Sequence, residues 1–239
     1  MDRAAAALTT PFLPNDEGSA PFSNNAWPAP SFGWGSDGLA STKLKYIFSF
    51  MSTSLEVLYP VAERQGGYLT ASQAGDLGVS HQQLYYLSRS GSIERVAHGI
   101  YRLKRFPSQP FEDVIVATLW AGEGAVASHE TALAVYGLTD AMPSTIHVTV
   151  QGRFRGKKRG VMVHNAPLER SERSMRGGVP VTSPARTIRD VAARYGTDVA
   201  AEAAREAVTR GVITRQRLVR ELAADAEAQG VLKQLGLAA

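Results

Sequence analysis

Hydrophobic and polar positions change period several times along this chain, and those changes divide it. From Thr53, apolar residues at Leu55, Leu58, Val61 and Ala62 recur at helical spacing until Gln65-Gly66-Gly67 stops the run. Tyr68-Leu69 predicts a short extended piece, and Thr70 is placed to cap a second helix carrying Ala71, Ala74 and Leu77 before a turn at Gly78-Val79. Ser80 and Gln83 make a Ser-x-x-Gln capping box for a third helix that runs to Arg89, where Ser90-Gly91 ends it. Two short strands follow, Ile93 to Val96 and Ile100 to Leu103, joined through Ala97-His98-Gly99 as a tight hairpin. Helix, turn, helix and hairpin in this order predict a winged helix-turn-helix, whose later helix enters a DNA major groove.

After Pro107 and Pro110 the period is helical again from Phe111 to Trp120, with Gly122 and Gly124 as the stop. Ser128 is placed to cap a helix from His129 to Tyr136, which Gly137 ends. Thr145 to Val150 alternates and is β-branched, so it reads as a strand, with Gly160 to His164 as its hairpin partner across a basic tip. Val179 to Thr182 is a third short strand, and Ser183-Pro184 starts a helix to Tyr195. The last stretch predicts two helices, 198–210 and 215–228, the second capped by Thr214. The fold class is therefore α+β: an N-terminal winged helix-turn-helix over 53–106, followed over 107–239 by a small mixed α/β domain with C-terminal helices.

Residues 1–52 have no sustained period and hold scattered Pro, Gly, Ser and Asn, which predicts a disordered N-terminal tail. Aromatics at Phe12, Phe22, Trp27, Phe32 and Trp34 leave a docking segment as the lesser alternative, and Met51 fits a translation start preceded by a gene-call extension. Composition narrows the chemistry. Of 239 residues none is Cys, which excludes disulfides, thiolate metal sites and a cysteine nucleophile, and fits a reducing cytoplasm. No apolar run approaches the roughly 20 residues that span a bilayer, so no membrane partner is expected.

The formal net charge is only +4, so its placement carries more information than its size. Between Ser80 and Phe106 the cations Arg89, Arg95, Arg102, Lys104 and Arg105 meet a single acid, Glu94. On the third helix, Leu84 and Leu87 form the apolar stripe, which leaves Ser80, His81, Gln82, Gln83, Tyr85, Tyr86 and Arg89 as candidate DNA contacts. Gln pairs with adenine, Arg with guanine or phosphate, and the Tyr hydroxyl with phosphate. Arg95, His98, Arg102, Lys104 and Arg105 make the wing a phosphate or minor-groove contact. A winged helix used for protein contact, its charges only solvating the surface, is the bland alternative. A second cluster, Arg153, Arg155, Lys157, Lys158 and Arg159, contains no acid and suits nucleic-acid contact or a solvated tip.

Other tempting residues yield less. Ser128-His129-Glu130 are adjacent at a helix start, project in different directions and cannot align as a triad; a cap and a packing residue explain them. His147 and His164 lie in partner strands and can approach each other, but no carboxylate accompanies them at ligand spacing, so no metal is expected. Arg186 and Asp190 are an i, i+4 pair that stabilises its own helix. Neither a Gly-x-x-x-x-Gly-Lys-Ser/Thr nor a Gly-x-Gly-x-x-Gly loop occurs, so no cofactor is expected.

Several of these segments carry a resemblance. Gly67-Tyr68-Leu69-Thr70-Ala71-Ser72-Gln73-Ala74, Val79-Ser80, Gly91-Ser92-Ile93-Glu94-Arg95-Val96 and Gly99-Ile100-Tyr101-Arg102 resemble the winged helix of AbiEi-type antitoxins. Ser128-His129-Glu130-Thr131-Ala132-Leu133, Ile146-His147-Val148-Thr149-Val150 and Val181-Thr182-Ser183-Pro184-Ala185-Arg186-Thr187-Ile188-Arg189-Asp190 resemble the second domain of the same proteins. The resemblance covers residues 53 to 225. It implies an antitoxin of a type IV toxin-antitoxin system, without catalysis and cytoplasmic. Such a protein represses its operon by binding inverted repeats in operator DNA, as monomer or dimer. It opposes a nucleotidyltransferase-like toxin without a stable complex. Some relatives continue into a Vsr-like endonuclease domain, which is not expected here because the chain ends at Ala239. Two alternatives stay open: an orphan winged-helix transcriptional regulator without a toxin, and a nucleic-acid processing enzyme, which no acid cluster or phosphate loop supports.

Overall fold

The structure is a computed structural model that describes residues 53–140, 143–223 and 225–237. The expected tail over 1–52 lies outside the described residues. Residues 53–64 form α1, followed by β1 (Tyr68–Thr70), α2 (Ala71–Asp76) and α3 (His81–Arg89). The strands β2 (Ile93–Ala97) and β3 (Ile100–Leu103) make the hairpin, and β1 joins the far edge of β3 to complete a three-stranded antiparallel sheet of order β1-β3-β2. Both capping boxes close: Thr70 with Gln73 opens α2, and Ser80 with Gln83 opens α3. Each satisfies backbone N–H groups that a helix start leaves unpaired. Leu58 and Ala62 of α1, Ala74, Val79, Leu84 and Leu87 of the helical pair, and Leu69, Ile93 and Leu103 of the sheet bury against one another as one core.

The other face of this sheet is covered as well. Tyr68 and Ile100 pack with Val114 and Ile115 of α4 (Glu112–Ala121), so neighbouring Tyr68 and Leu69 are both buried, on opposite faces. Gly67 marks a separate close approach, to Phe106. Its φ is 97°, and a Cβ there would lie 2.6 Å from the Phe106 Cβ.

A five-stranded mixed sheet follows, of order β6-β5-β4-β8-β7. Its strands are β4 (Val126–Ala127), β5 (Ile146–Val150), β6 (Val161–Asn165), β7 (Arg173–Arg176) and β8 (Val179–Thr182), with α5 (His129–Tyr136) after β4. Along β5, Val148 and Val150 join Ala117 and Ala121 of α4, whereas His147 and Thr149 turn to the α5 face, where Thr131 and Ser128 receive them. The C-terminal helices α6 (Pro184–Tyr195), α7 (Thr197–Thr209), α8 (Arg215–Leu222) and α9 (Ala226–Gln234) share one alanine-rich core.

Three expectations need correction. First, β5 and β6 are not a hairpin: they pair in parallel, with Ile146 opposite Val161 and Val150 opposite Asn165. Parallel strands need a connection that returns to the starting end, and residues 151–160 make it because Phe154 docks edge-on against Trp120, 5.1 Å between ring centroids. Second, the helix expected over 215–228 is two helices. Leu222 and Ala228 both reach the core, and the Asp225 carboxylate accepts from the Ala228 N–H, opening α9 separately. Third, the structure adds two strands, β4 and β7, that the sequence pattern does not signal, since two residues show no period and Arg173-Ser174-Met175-Arg176 is apolar at one position only.

Candidate nucleic-acid interface

The amphipathic packing of α3 decides what it offers outward. With Leu84 and Leu87 sealed in the core, His81, Gln82, Tyr85, Tyr86 and Arg89 are exposed, Tyr85 at 58% and Tyr86 at 49%. The two tyrosine rings lie edge to face, 5.8 Å apart. Two large aromatic rings exposed side by side on one helix face suit contact with a partner. Gln83 stands apart from the rest of the set. Its amide oxygen accepts from the Ser80 N–H at 2.6 Å and its nitrogen donates to the Ser54 hydroxyl of α1 at 3.3 Å, so this residue is spent on holding α3 in place. Ser80 is likewise its cap.

On the wing, Arg95, His98, Lys104 and Arg105 are exposed. The hairpin brings an Arg95 guanidinium nitrogen to 3.1 Å from His98 Nδ1, which sets both at the turn. Arg102 faces the other way. It donates to the Phe106 carbonyl, lies 3.6 Å from the Glu112 carboxylate and sits 6.0 Å from the Tyr68 ring centroid, so it ties the wing to α4. Of the expected wing contacts it is the least available.

The second cationic segment is the crossover between β5 and β6. Arg153, Arg155, Lys157 and Arg159 are exposed, while Lys158 is partly buried with Nζ 5.8 Å from the Trp120 ring centroid. Gly156 lets the segment pass: a Cβ there would stand 2.5 Å from the Phe154 ring and 3.1 Å from Trp120. The Phe154 N–H donates to the Asn165 side chain at 2.9 Å, and these anchors fix a cationic ridge.

The same half assembles polar groups inside. Arg186 is buried and bonds the Asp190 carboxylate at 2.7 Å, the Glu172 carboxylate at 2.7 Å and the Pro167 carbonyl at 2.9 Å; Arg189 also pairs with Glu172. Burial raises the Glu172 carboxyl, but the Glu169 N–H and the Arg186 and Arg189 guanidiniums outweigh it and hold it below the usual range. Asp190 lies deeper, and there burial wins, raising its carboxyl in spite of Arg186. The i, i+4 pair thus belongs to a network linking the 3-10 turn Arg170–Glu172 to α6.

Ser128 occupies the N-cap position of α5 without capping it. Its hydroxyl accepts from Thr149 at 2.8 Å and lies 3.0 Å from His129 Nδ1, so these residues do not form a triad either. His147 and His164 do meet, Nδ1 to Nε2 at 3.0 Å, and His129 stacks on His164 with centroids 3.9 Å apart. The carboxylate that sequence spacing did not supply comes from Glu130, with Oε2 3.5 Å from His147 Nδ1. Burial, with His164 and His147 beside it, pushes His129 down to about 3; burial and His147 push His164 down to about 4. Burial also lowers His147, against the pull of Glu130.

Residues 56–104 match the family described as transcriptional regulator, AbiEi antitoxin, and residues 125–235 match the AbiEi antitoxin C-terminal domain. No curated protein matches the chain. Among solved structures, it is similar to the RV2827C protein from Mycobacterium tuberculosis, at 15% identity and a TM-score of 0.44, over 78% of this chain and 77% of that one.

Proposed function

The chain belongs to the AbiEi antitoxin family, and from that premise we propose that it is the antitoxin of a type IV toxin-antitoxin system and represses its own operon. The observation that carries the DNA-binding half is the exposed face of α3, with His81, Gln82, Tyr85, Tyr86 and Arg89 presented as a unit beside a cationic wing. Gln82 and Arg89 suit base edges, the tyrosine hydroxyls suit phosphate, and Arg95, His98, Lys104 and Arg105 follow the backbone beyond the groove. Operator half-sites arranged as inverted repeats would take one copy each. The protein acts by binding, in the cytoplasm, without catalysis. Among the described residues no helix is long and apolar enough to cross a membrane.

The antitoxin half rests on family membership, and its functional partner is a nucleotidyltransferase-like toxin encoded beside it. The division of labour places DNA recognition in residues 53–106 and antagonism in residues 107–239, where the ridge Arg153, Arg155, Lys157 and Arg159 offers a surface for the toxin's nucleic-acid target. A mobility shift on the protein's own promoter tests the first half: the Gln82→Ala/Tyr85→Ala/Arg89→Ala variant loses specific retardation, and undiminished binding refutes this face. Co-expression with the adjacent toxin tests the second. Rescue of growth supports the antitoxin reading; promoter binding without rescue marks an orphan regulator instead.

A further inference from the structure

The α5 face of the five-stranded sheet holds more acceptors than protons to satisfy them. His147 and Thr149 alternate onto that face, and the parallel register sets His164 opposite Thr149, so the two imidazoles meet diagonally. His129 arrives from the first residue of α5. Glu130 follows it, and its Oε2 is buried without a hydrogen-bond partner among the described residues. We propose that His129, His147 and His164, with Glu130 as fourth donor, bind one divalent transition-metal ion of the zinc type. This site is independent of the DNA-binding reading.

The proton arithmetic carries the argument. His147 Nδ1 faces both His164 Nε2 at 3.0 Å and Glu130 Oε2 at 3.5 Å. One proton can lie between the two rings, whichever ring donates it, and the carboxylate oxygen is then left without one. A buried acceptor in that position is costly. A cation satisfies all the lone pairs together.

Geometry and donor type agree. The three imidazole ligand atoms lie within 4.8 Å of one another. Zinc at about 2.0–2.1 Å from each nitrogen would space tetrahedral nitrogens about 3.3 Å apart. Binding would draw the three nitrogens together by rotation of the side chains. Three imidazoles with one carboxylate suit zinc, cobalt or nickel far better than magnesium or calcium, which take oxygen ligands. The surroundings are arranged as a supporting shell. Ser128 engages His129 Nδ1 and is itself held by Thr149, which leaves His129 Nε2 free to coordinate. His129 also holds a φ of 52°, a left-handed backbone that a residue with a Cβ adopts at a cost, and such strain gathers at binding sites. A bound ion would clamp α5, β5 and the edge strand β6 to one another.

The test uses the untagged full-length chain, stripped with chelator and titrated with zinc and with cobalt(II). The wild type takes one equivalent, cobalt develops the visible bands of tetrahedral coordination, and zinc raises the melting temperature. His129→Asn/His164→Asn loses the tight equivalent and the zinc-dependent shift. Ser128→Ala, which removes the support of His129 and the acceptor of the Thr149 hydroxyl but no proposed ligand, binds about 10–100-fold more weakly. His81→Asn/His98→Asn, altered on the recognition helix and wing, still takes one equivalent. No stoichiometric uptake by the wild type, unchanged affinity in the double ligand variant, or loss in the His81/His98 control would each overturn the site. If the double ligand variant does not fold, cobalt-loaded Glu130→Gln decides: shifted bands support the four-donor site and an unchanged spectrum refutes it.

Discussion

The winged helix and the second half use polar residues in opposite ways. On α3 and the wing, Gln82, Tyr85, Arg89 and Arg95 stand in solvent, placed by local devices: two capping boxes, a Gly turn and a short hairpin. In the second half, Arg186, Glu172, Asp190 and the three histidines are drawn from distant elements and wholly or partly buried. Solvated polar residues cost the fold little and are available to a partner. Buried ones hold together only while each has its counterpart, so the second half is the more fragile of the two toward single substitutions.

The largest expected effect follows from that difference. Arg186→Met leaves Glu172 and Asp190 without their shared cation, and should cost about 3–5 kcal/mol by urea unfolding. A loss below about 1 kcal/mol would show that the network is not holding the 3-10 turn against α6. Acid sharpens the same point. Because the Glu172 carboxyl is held below its usual value of 4.5, it contributes stability that is complete above that pH and is lost as pH falls through the lowered value. Asp190, raised, works in the opposite sense. Glu172→Gln should therefore flatten the acid limb of melting temperature against pH, and an unchanged limb would remove Glu172 from the account.

On the other side of the comparison, Ser80→Ala removes the hydroxyl that accepts from the Gln83 N–H at 3.3 Å and should cost about 1 kcal/mol, the usual worth of an N-cap. Operator affinity should fall by no more than the helix frays. A loss as large as that of the α3 face variant would place Ser80 itself on the DNA.

What could be read from the sequence follows the same boundary. Thr70, Ser80, Gly78, Gly99 and the stripe Leu84 and Leu87 act over a few residues, so the helices, caps and hairpin of the winged unit were legible. The parallel pairing of β5 and β6 was not, because it depends on Phe154 finding Trp120 some 30 positions earlier in the chain, a contact that no periodicity announces. Gln83 reads from the sequence as both a cap and a DNA contact, and Arg102 as a DNA contact; their bonds to Ser54 and Glu112 are the part that no local pattern announces. The histidine cluster was half visible. Alternation along β5 and β6 suggested that His147 and His164 could approach, but His129 and Glu130 come from a helix start that packs over the sheet.

The smallest effect on stability is expected at the cationic crossover, which belongs to neither pattern: its charges are solvated, yet its path is set by a long-range aromatic contact. Arg153→Gln/Arg155→Gln/Lys157→Gln/Arg159→Gln keeps Phe154, Gly156 and Lys158 on Trp120, so stability should change by less than about 0.5 kcal/mol per site. Binding to a nucleic acid should respond quite differently. Each phosphate that the variant no longer neutralises makes the fall of log affinity with log salt shallower, by about 0.9 on duplex DNA or about 0.7 on a single strand. If the ridge lies on nucleic acid, the slope flattens and the affinity drops with it, while promoter recognition by α3 keeps its sequence preference. An unchanged slope in the four-site variant would reduce the ridge to a solvated surface and leave α3 and the wing as the nucleic-acid surface supported by the structure.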